Sequence, residues 1–332
     1  MKSLKLIFLS LLLYGMYEPA LAEVDKIQFK GFVQTWYSIG LQDTLNDYAS
    51  GYTLRRVRLK ALGNISQNIN WYCHYGWDKQ APSLIDVAVN IKLSKYLKIK
   101  IGQFVAPGAK SGALTSSSKL DFVERSMIAQ KWSSNTALKG YRTSGVQFAG
   151  KIVKDKILWT FMIANSHSSR LFSPTVKKYN MRGYKTPAIF GRLEAKPKKC
   201  LETGIFITYW KNSDTDDKIT SYGGNIFLRK DKIQLKSEYI AGTTETGTDY
   251  SGLITMLGYK INKFEPVIRH DIYSPADGKT DKYGVKNYSN ITLGVNFYYH
   301  KKMKFQANYI LRQENKSEID NNLFYINAQF SI

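Results

Sequence analysis

The sequence predicts an all-β chain: sixteen antiparallel strands closed into a transmembrane β-barrel, with one long connector folded inward. Three observations lead there. Apolar and polar residues alternate from residue 26 to residue 332, which is the period of a strand with two unlike faces. The connectors alternate between short and long around an even strand count, as in outer-membrane barrels. The N-terminus reads as an export signal.

Lys2 and Lys5 precede an apolar run over residues 6–16, and Ala20-Leu21-Ala22 stands before Glu23. This pattern predicts a signal peptide over residues 1–22, cleaved after Ala22, with residues 23–332 forming the barrel domain. The apolar run is too short to cross a bilayer as a helix, and no later stretch approaches the roughly 20 apolar residues such a helix needs.

In the first strand Ile27, Phe29, Val33 and Ile39 share one face, with Gln28, Lys30 and Gln34 on the other. The second strand is sharper: Val57, Leu59, Ala61 and Ile65 alternate with Arg56, Arg58 and Lys60. Fourteen further segments follow, at 69–77, 84–93, 97–104, 143–151, 156–165, 188–196, 201–210, 221–229, 232–241, 251–261, 264–273, 289–299, 303–312 and 323–332. The joins after even-numbered strands are short (SQN, SKY, VKDK, PKKC, KD, NK, HKK), whereas those after odd-numbered strands are mostly longer and richer in Gly, Ser, Asn, Asp and Thr. Both ends of the barrel then fall on the short-turn side. Alternation alone also fits a soluble sandwich, but the export signal and 23 tyrosines able to form interfacial girdles favour the membrane barrel. Phe324, Ile326, Ala328, Phe330 and Ile332 share one face of the last strand, which suits closure against the first.

The connector over residues 102–142 is far longer than a hairpin loop of about 2–5 residues. Its aromatic and aliphatic residues give it something to bury, so it is expected to enter the barrel as a constriction loop rather than stand free.

Lys and Arg total 48 against 26 Asp and Glu, a formal net charge of +22, so small anions are the natural partners; nucleic acid is not an expected partner of an exported membrane barrel. Some of this excess can be solvated surface, so position must decide. Residues 105–142 and 167–187 are strongly basic, whereas the connectors at 42–50, 211–221, 243–250 and 313–322 are each net acidic. On a lipid-facing strand surface a midplane Arg or Lys costs about 2–4 kcal/mol, so basic residues repeated on one strand face must point to the lumen. By parity the inward cations are Lys30, Arg56, Arg58, Lys60, Lys98, Lys100, Arg192, Lys236, Arg269, Lys304 and Arg312, and the inward acids are Asp86, Glu194, Glu238 and Asp271. Arg55 lies on the apolar parity, unless the strand begins after it or its side chain snorkels at the rim. A guanidinium can hold an oxyanion through two hydrogen bonds, and an ammonium acts as a mobile point charge.

Catalytic and cofactor signals are weak by comparison. Cys73 and Cys200 suggest neither a disulfide framework nor a metal site. His74, His167, His270 and His300 are scattered, and Ser166-His167-Ser168 is an adjacency rather than a triad, whose roles need spatial geometry. No cofactor or metal is expected. A non-enzymatic channel leads the readings, followed by an adhesive or structural barrel and then by a hydrolase.

The stretches 52–60 (YTLRRVRLK), 83–87 (SLIDV), 101–104 (IGQF), 115–126 (TSSSKLDFVERS), 143–150 (TSGVQFAG) and 291–309 (ITLGVNFYYHKKMKFQANY) resemble the phosphate-selective porin O and P family, in collinear order across the chain. The resemblance implies a sixteen-stranded outer-membrane anion channel, embedded in outer-membrane lipid, passing phosphate or related oxyanions and assembling as a homotrimer. It also implies that Arg55 and Arg56, Asp86 and Lys119 line the anion path, with Glu124-Arg125 matching a family pair in the infolded loop. Together with the parity set, Ser118, Arg125 and Arg142 complete the expected pore-lining residues.

Overall fold

The computed structural model describes residues 26–41, 50–78, 81–135, 141–165, 187–211, 218–244, 247–275, 287–314 and 322–332. The expected signal peptide, most of the 166–187 connector with His167, and much of the acidic connectors fall outside them. The sixteen strands are β1 (Gln28–Leu41), β2 (Gly51–Asn64), β3 (Ile69–Asp78), β4 (Ala81–Lys92), β5 (Lys98–Val105), β6 (Arg142–Ile152), β7 (Ile157–Ala164) and β8 (Ala188–Lys198), followed by β9 (Leu201–Lys211), β10 (Lys218–Lys230), β11 (Ile233–Thr243), β12 (Asp249–Tyr259), β13 (Phe264–Pro275), β14 (Tyr288–His300), β15 (Met303–Glu314) and β16 (Asn322–Ser331). Each pairs antiparallel with its sequence neighbours, and β1 pairs with β16, from Phe32 opposite Ser331 to Leu41 opposite Asn322. The sheet is therefore closed and has no free edge.

The faces are inverted relative to a soluble protein. On β13 Glu265, Val267, Arg269, Asp271 and Tyr273 are buried, while Phe264, Pro266, Ile268, His270 and Ile272 are exposed. Across the barrel the buried set includes Gln34, Arg56, Asp86, Arg192, Glu238 and Asn296, and the exposed set includes Leu59, Ile205, Ile207, Ile226, Leu257 and Leu293. Apolar side chains out and polar ones in is what a membrane solvent requires, because lipid rewards the first and penalises the second.

Strand ends differ from the sequence-based bounds by a few residues, with two differences of consequence. Gly102 to Val105 belong to β5 and Arg142 opens β6, so the long connector is residues 106–141. Strand β2 starts at Gly51, ahead of Arg55.

The connector is not a featureless loop. It holds a π-helical turn (Lys110–Leu114), a 3₁₀ turn (Ser117–Lys119) and helix α1 (Met127–Asn135). Ala106, Ala109, Ala113, Ile128 and Trp132 pack into one cluster with inner-wall residues Phe104, Met162, Phe190, Phe206, Trp210, Ile219, Ile240, Tyr250, Ile254 and Tyr273. The lumen is thus not uniformly polar: one sector of its wall is an apolar seat for this loop. Trp132 anchors it, stacked on Tyr141 at 6.0 Å, edge-on to Phe206 at 5.8 Å, and donating from Nε1 to Ser221 Oγ at 2.6 Å. Close approach depends on Gly252 of β12, where an added Cβ would stand 2.6 Å from Ile128 Cγ1.

Candidate functional site

The register of β1 against β2 slips between Gln34, opposite Arg56, and Thr35, opposite Leu54. Arg55 is the extra residue of a β-bulge. A bulge turns two adjacent side chains to one face, and the parity objection to Arg55 disappears without a late strand start or snorkelling. Arg55 Nη2 lies 3.0 Å and Arg56 Nη2 3.6 Å from Glu124 Oε1 in the connector. Both guanidiniums lie over the Trp36 ring, at 4.9 and 5.6 Å from its centre, and Arg56 Nη1 donates to Gln34 Oε1 at 3.1 Å. A second bulge on β4, where His74 faces Asp86 and Tyr75 faces Leu84, turns both Ile85 and Asp86 inward.

Below the arginine pair the inner column continues. Arg58 Nη2 donates to Asp78 Oδ2 at 2.6 Å, Lys60 sits 3.8 Å over the Tyr72 ring, and Lys100 sits 4.9 Å over the Phe104 ring. Lys30 is paired directly across from Lys60. Asp86 accepts from Arg142 Nε at 2.7 Å and meets His74 Nδ1 at 2.9 Å. Among the described residues, Arg58, Lys60 and Lys100 therefore pair with the wall and not with the connector. Lys98 follows the inward parity but is exposed beside the short turn at its strand's start.

The other expected cations are placed differently. Arg192 Nη1 donates to Gly108 O at 3.0 Å, Arg269 Nη1 to Glu124 O at 2.9 Å, and Lys304 Nζ to Leu120 O at 2.9 Å. All three point inward, yet they are buried under the connector and satisfy its backbone carbonyls. In this position they fasten the loop to the wall. Their neighbours act alike: Lys236 Nζ meets Asp121 Oδ2 at 2.6 Å, Lys110 Nζ meets Glu194 Oε2 at 2.8 Å and also pairs with Glu202, and Glu238 accepts from Ser111 N at 2.7 Å and from the Ser111 hydroxyl.

Arg125 is engaged by the connector itself. It closes the loop on itself, donating to Ser111 O and Thr115 O at 2.8 Å each and to Ser117 Oγ at 3.3 Å, over the Tyr141 ring at 5.3 Å. Burial pushes its pKa down from the ordinary guanidinium value, and Tyr141 and Glu124 oppose that shift. Burial likewise raises the Tyr141 phenol to about 12, so it stays a neutral donor to Ala129 O. Ser118 is held against β16, its carbonyl accepting from Gln329 Nε2 at 3.2 Å, and Lys119 beside it is exposed.

Parity reasoning missed the aromatic platforms Trp36, Tyr72 and Phe104 and the carboxylate Asp78 that answers Arg58. The available signal was the adjacent pair Arg55-Arg56, since a charge out of parity inside a membrane strand implies a bulge.

A closed sixteen-stranded barrel with an apolar exterior, a charged inner wall and a loop fastened inside it is a porin-type barrel. The chain belongs to the phosphate-selective porin O and P family, whose profile matches residues 27–197 and 214–332. It is therefore an outer-membrane barrel of a passive-channel family rather than of an enzyme class. No curated protein gives a significant sequence match. Among solved structures the fold is similar to the outer membrane channel DcaP of Acinetobacter baumannii, at 11% identity and TM-score 0.65, covering 94% of this chain and 99% of that one. It is also similar to an anion-selective porin from Comamonas acidovorans, at 10% identity and TM-score 0.68, covering 92% and 99%. OmpT of Vibrio cholerae in its trimer form gives 12% identity and TM-score 0.62, covering 92% and 99%. At these identities the likeness concerns the fold.

Proposed function

We infer that this chain is an anion porin, giving passive diffusion of small anions, phosphate or related oxyanions, between the infolded connector and the wall formed by β1 to β6. The observation that carries the reading is the inner column Arg55, Arg56, Arg58 and Lys60, flanked by Lys30, Lys100 and Arg142. In a narrow passage with low-dielectric walls such a column concentrates anions and repels cations. Asp78, Asp86 and Glu124 keep Arg58, Arg142, Arg55 and Arg56 partly compensated, which favours release over trapping. The connector narrows the passage, and Lys119 adds an exposed cation to its surface. The family and the trimeric OmpT relative support a homotrimer, and export would proceed through a signal peptide cleaved after Ala22.

Planar-bilayer recordings in a KCl gradient test the reading. Replacing Arg56, Arg58 and Lys119 together with glutamate is expected to move the zero-current potential toward the potassium value. Replacing the turn-side lysines Lys154, Lys198 and Lys301 is expected to leave it almost unchanged, because exposed charges are screened within about 8 Å at physiological salt. Equal shifts from both sets would make the charge a general surface property. Absence of current from the intact barrel would favour an adhesive or structural role.

A further inference from the structure

The connector contains two acids, Asp121 and Glu124, and they do different things. Asp121 is tied to Lys236 on the wall that seats the loop. Glu124 reaches instead to the arginine pair of β2, and its side chain retains 18% exposure. One oxygen, Oε1, lies 3.0 Å from Arg55 and 3.6 Å from Arg56, while Oε2 accepts from the Arg125 backbone N–H at 3.1 Å. The two guanidiniums are held side by side over Trp36 by the β2 bulge. A carboxylate of the loop thus occupies the position that an arriving carboxylate or phosphate oxygen would take.

We propose that Glu124 is the specificity-determining residue of the passage, a resident competitor that limits how tightly a permeating oxyanion is held at Arg55 and Arg56. Two adjacent guanidiniums without a counter-charge would bind a phosphate bidentately and hold it. With Glu124 in place, an entering anion must share the pair with a tethered carboxylate whose effective concentration is high, so its dwell time falls. The same carboxylate relieves the repulsion between the two arginines and fixes their rotamers while the passage is empty.

This inference rests on the anion-channel reading, and the experiment separates the two. Chloride currents are recorded in planar bilayers while inorganic phosphate is titrated, for the wild type, Glu124→Gln, the Arg55→Gln/Arg56→Gln double variant and the triple variant combining them. Glu124→Gln is expected to lower the phosphate concentration for half-block several-fold and to move the zero-current potential further toward chloride. The effect is expected to vanish when both arginines are absent. An unchanged or raised half-block concentration in Glu124→Gln, no phosphate block in any variant, or an equal drop without the arginines would overturn the proposal. If Glu124→Gln yields no channels, Glu124→Asp decides: its shorter arm withdraws the charge from the pair, so half-block falls if the proposal holds and stays or rises if it does not. A wild type whose zero-current potential lies on the potassium side overturns the anion-channel reading, while the comparison of phosphate block still decides the role of Glu124.

Discussion

Arg142 donates from Nε to Asp86 Oδ1 at 2.7 Å, and His74 meets the other oxygen of the same carboxylate at 2.9 Å. One buried acid therefore ties the first residue of β6 to β4 and β3 on the inner wall, where the long connector rejoins the barrel. Breaking a buried ion pair by removing one charge is costly, because the partner is left uncompensated.

Asp86→Asn is accordingly expected to destabilise the folded barrel by about 3 kcal/mol, read from denaturant unfolding in detergent. It should also move the zero-current potential toward chloride, since Arg142 gains an unmatched charge. A stable variant with unchanged selectivity would mean that Arg142 does not face the ion path.

Glu238, 1% exposed, holds the π-helical turn of the connector through the Ser111 backbone N–H and hydroxyl. Hydrogen bonds to a charged group contribute about 1.5–3 kcal/mol each. Glu238→Ala is expected to leave the barrel folded but loosen the loop, seen as current flicker in single channels and as new protease cleavage within residues 106–135. Quiet traces and an uncleaved loop would assign the anchoring to the apolar seat of Trp132 and the other polar fastenings.

Ile205 lies mid-strand on the outer face of β9 with 60% exposure. Ile205→Arg should cost about 2–4 kcal/mol in a lipid-reconstituted unfolding measurement. The same change made on a soluble surface would cost almost nothing, so a neutral result would contradict the lipid-facing assignment.

Gly102 in β5 has φ of +132°, and a Cβ there would stand 2.1 Å from Val87 O. Gly102→Ala meets both backbone strain and a collision with β4. A sharply reduced refolding yield is expected, and a wild-type yield would show that the β4–β5 register can shift to accommodate a side chain.

The strands were legible because a membrane barrel imposes period-two alternation, as β13 shows with Glu265, Arg269 and Asp271 inward and Phe264, Ile268 and Ile272 outward. The arginine column of β2 was legible for the same reason. Parity stops where the chain breaks its own period, at Arg55 and Ile85, because a bulge is one residue of slip that no hydrophobicity pattern encodes directly. Nor could parity separate Arg58, which pairs with wall residue Asp78, from Arg192, which lies beneath Gly108. That difference depends on where a loop of residues 106–141 comes to rest against strands far along the chain. The helix α1 was missed because its apolar residues serve the seat on the wall, not a recognisable amphipathic stripe.

The pairing of Phe32 with Ser331 brings together the first and last strands of the chain. Until that ladder forms, the sheet exists as an open ribbon whose two outermost strands carry unmatched backbone groups, the template on which other chains aggregate. Joining residues so distant in sequence is also the slowest kind of contact to establish. The newly exported chain consequently passes through an interval in which it is nearly folded and at its most vulnerable. Shielding both unfinished edges during that interval, rather than speeding the formation of any hairpin, is where an assembly factor would do the most for this barrel.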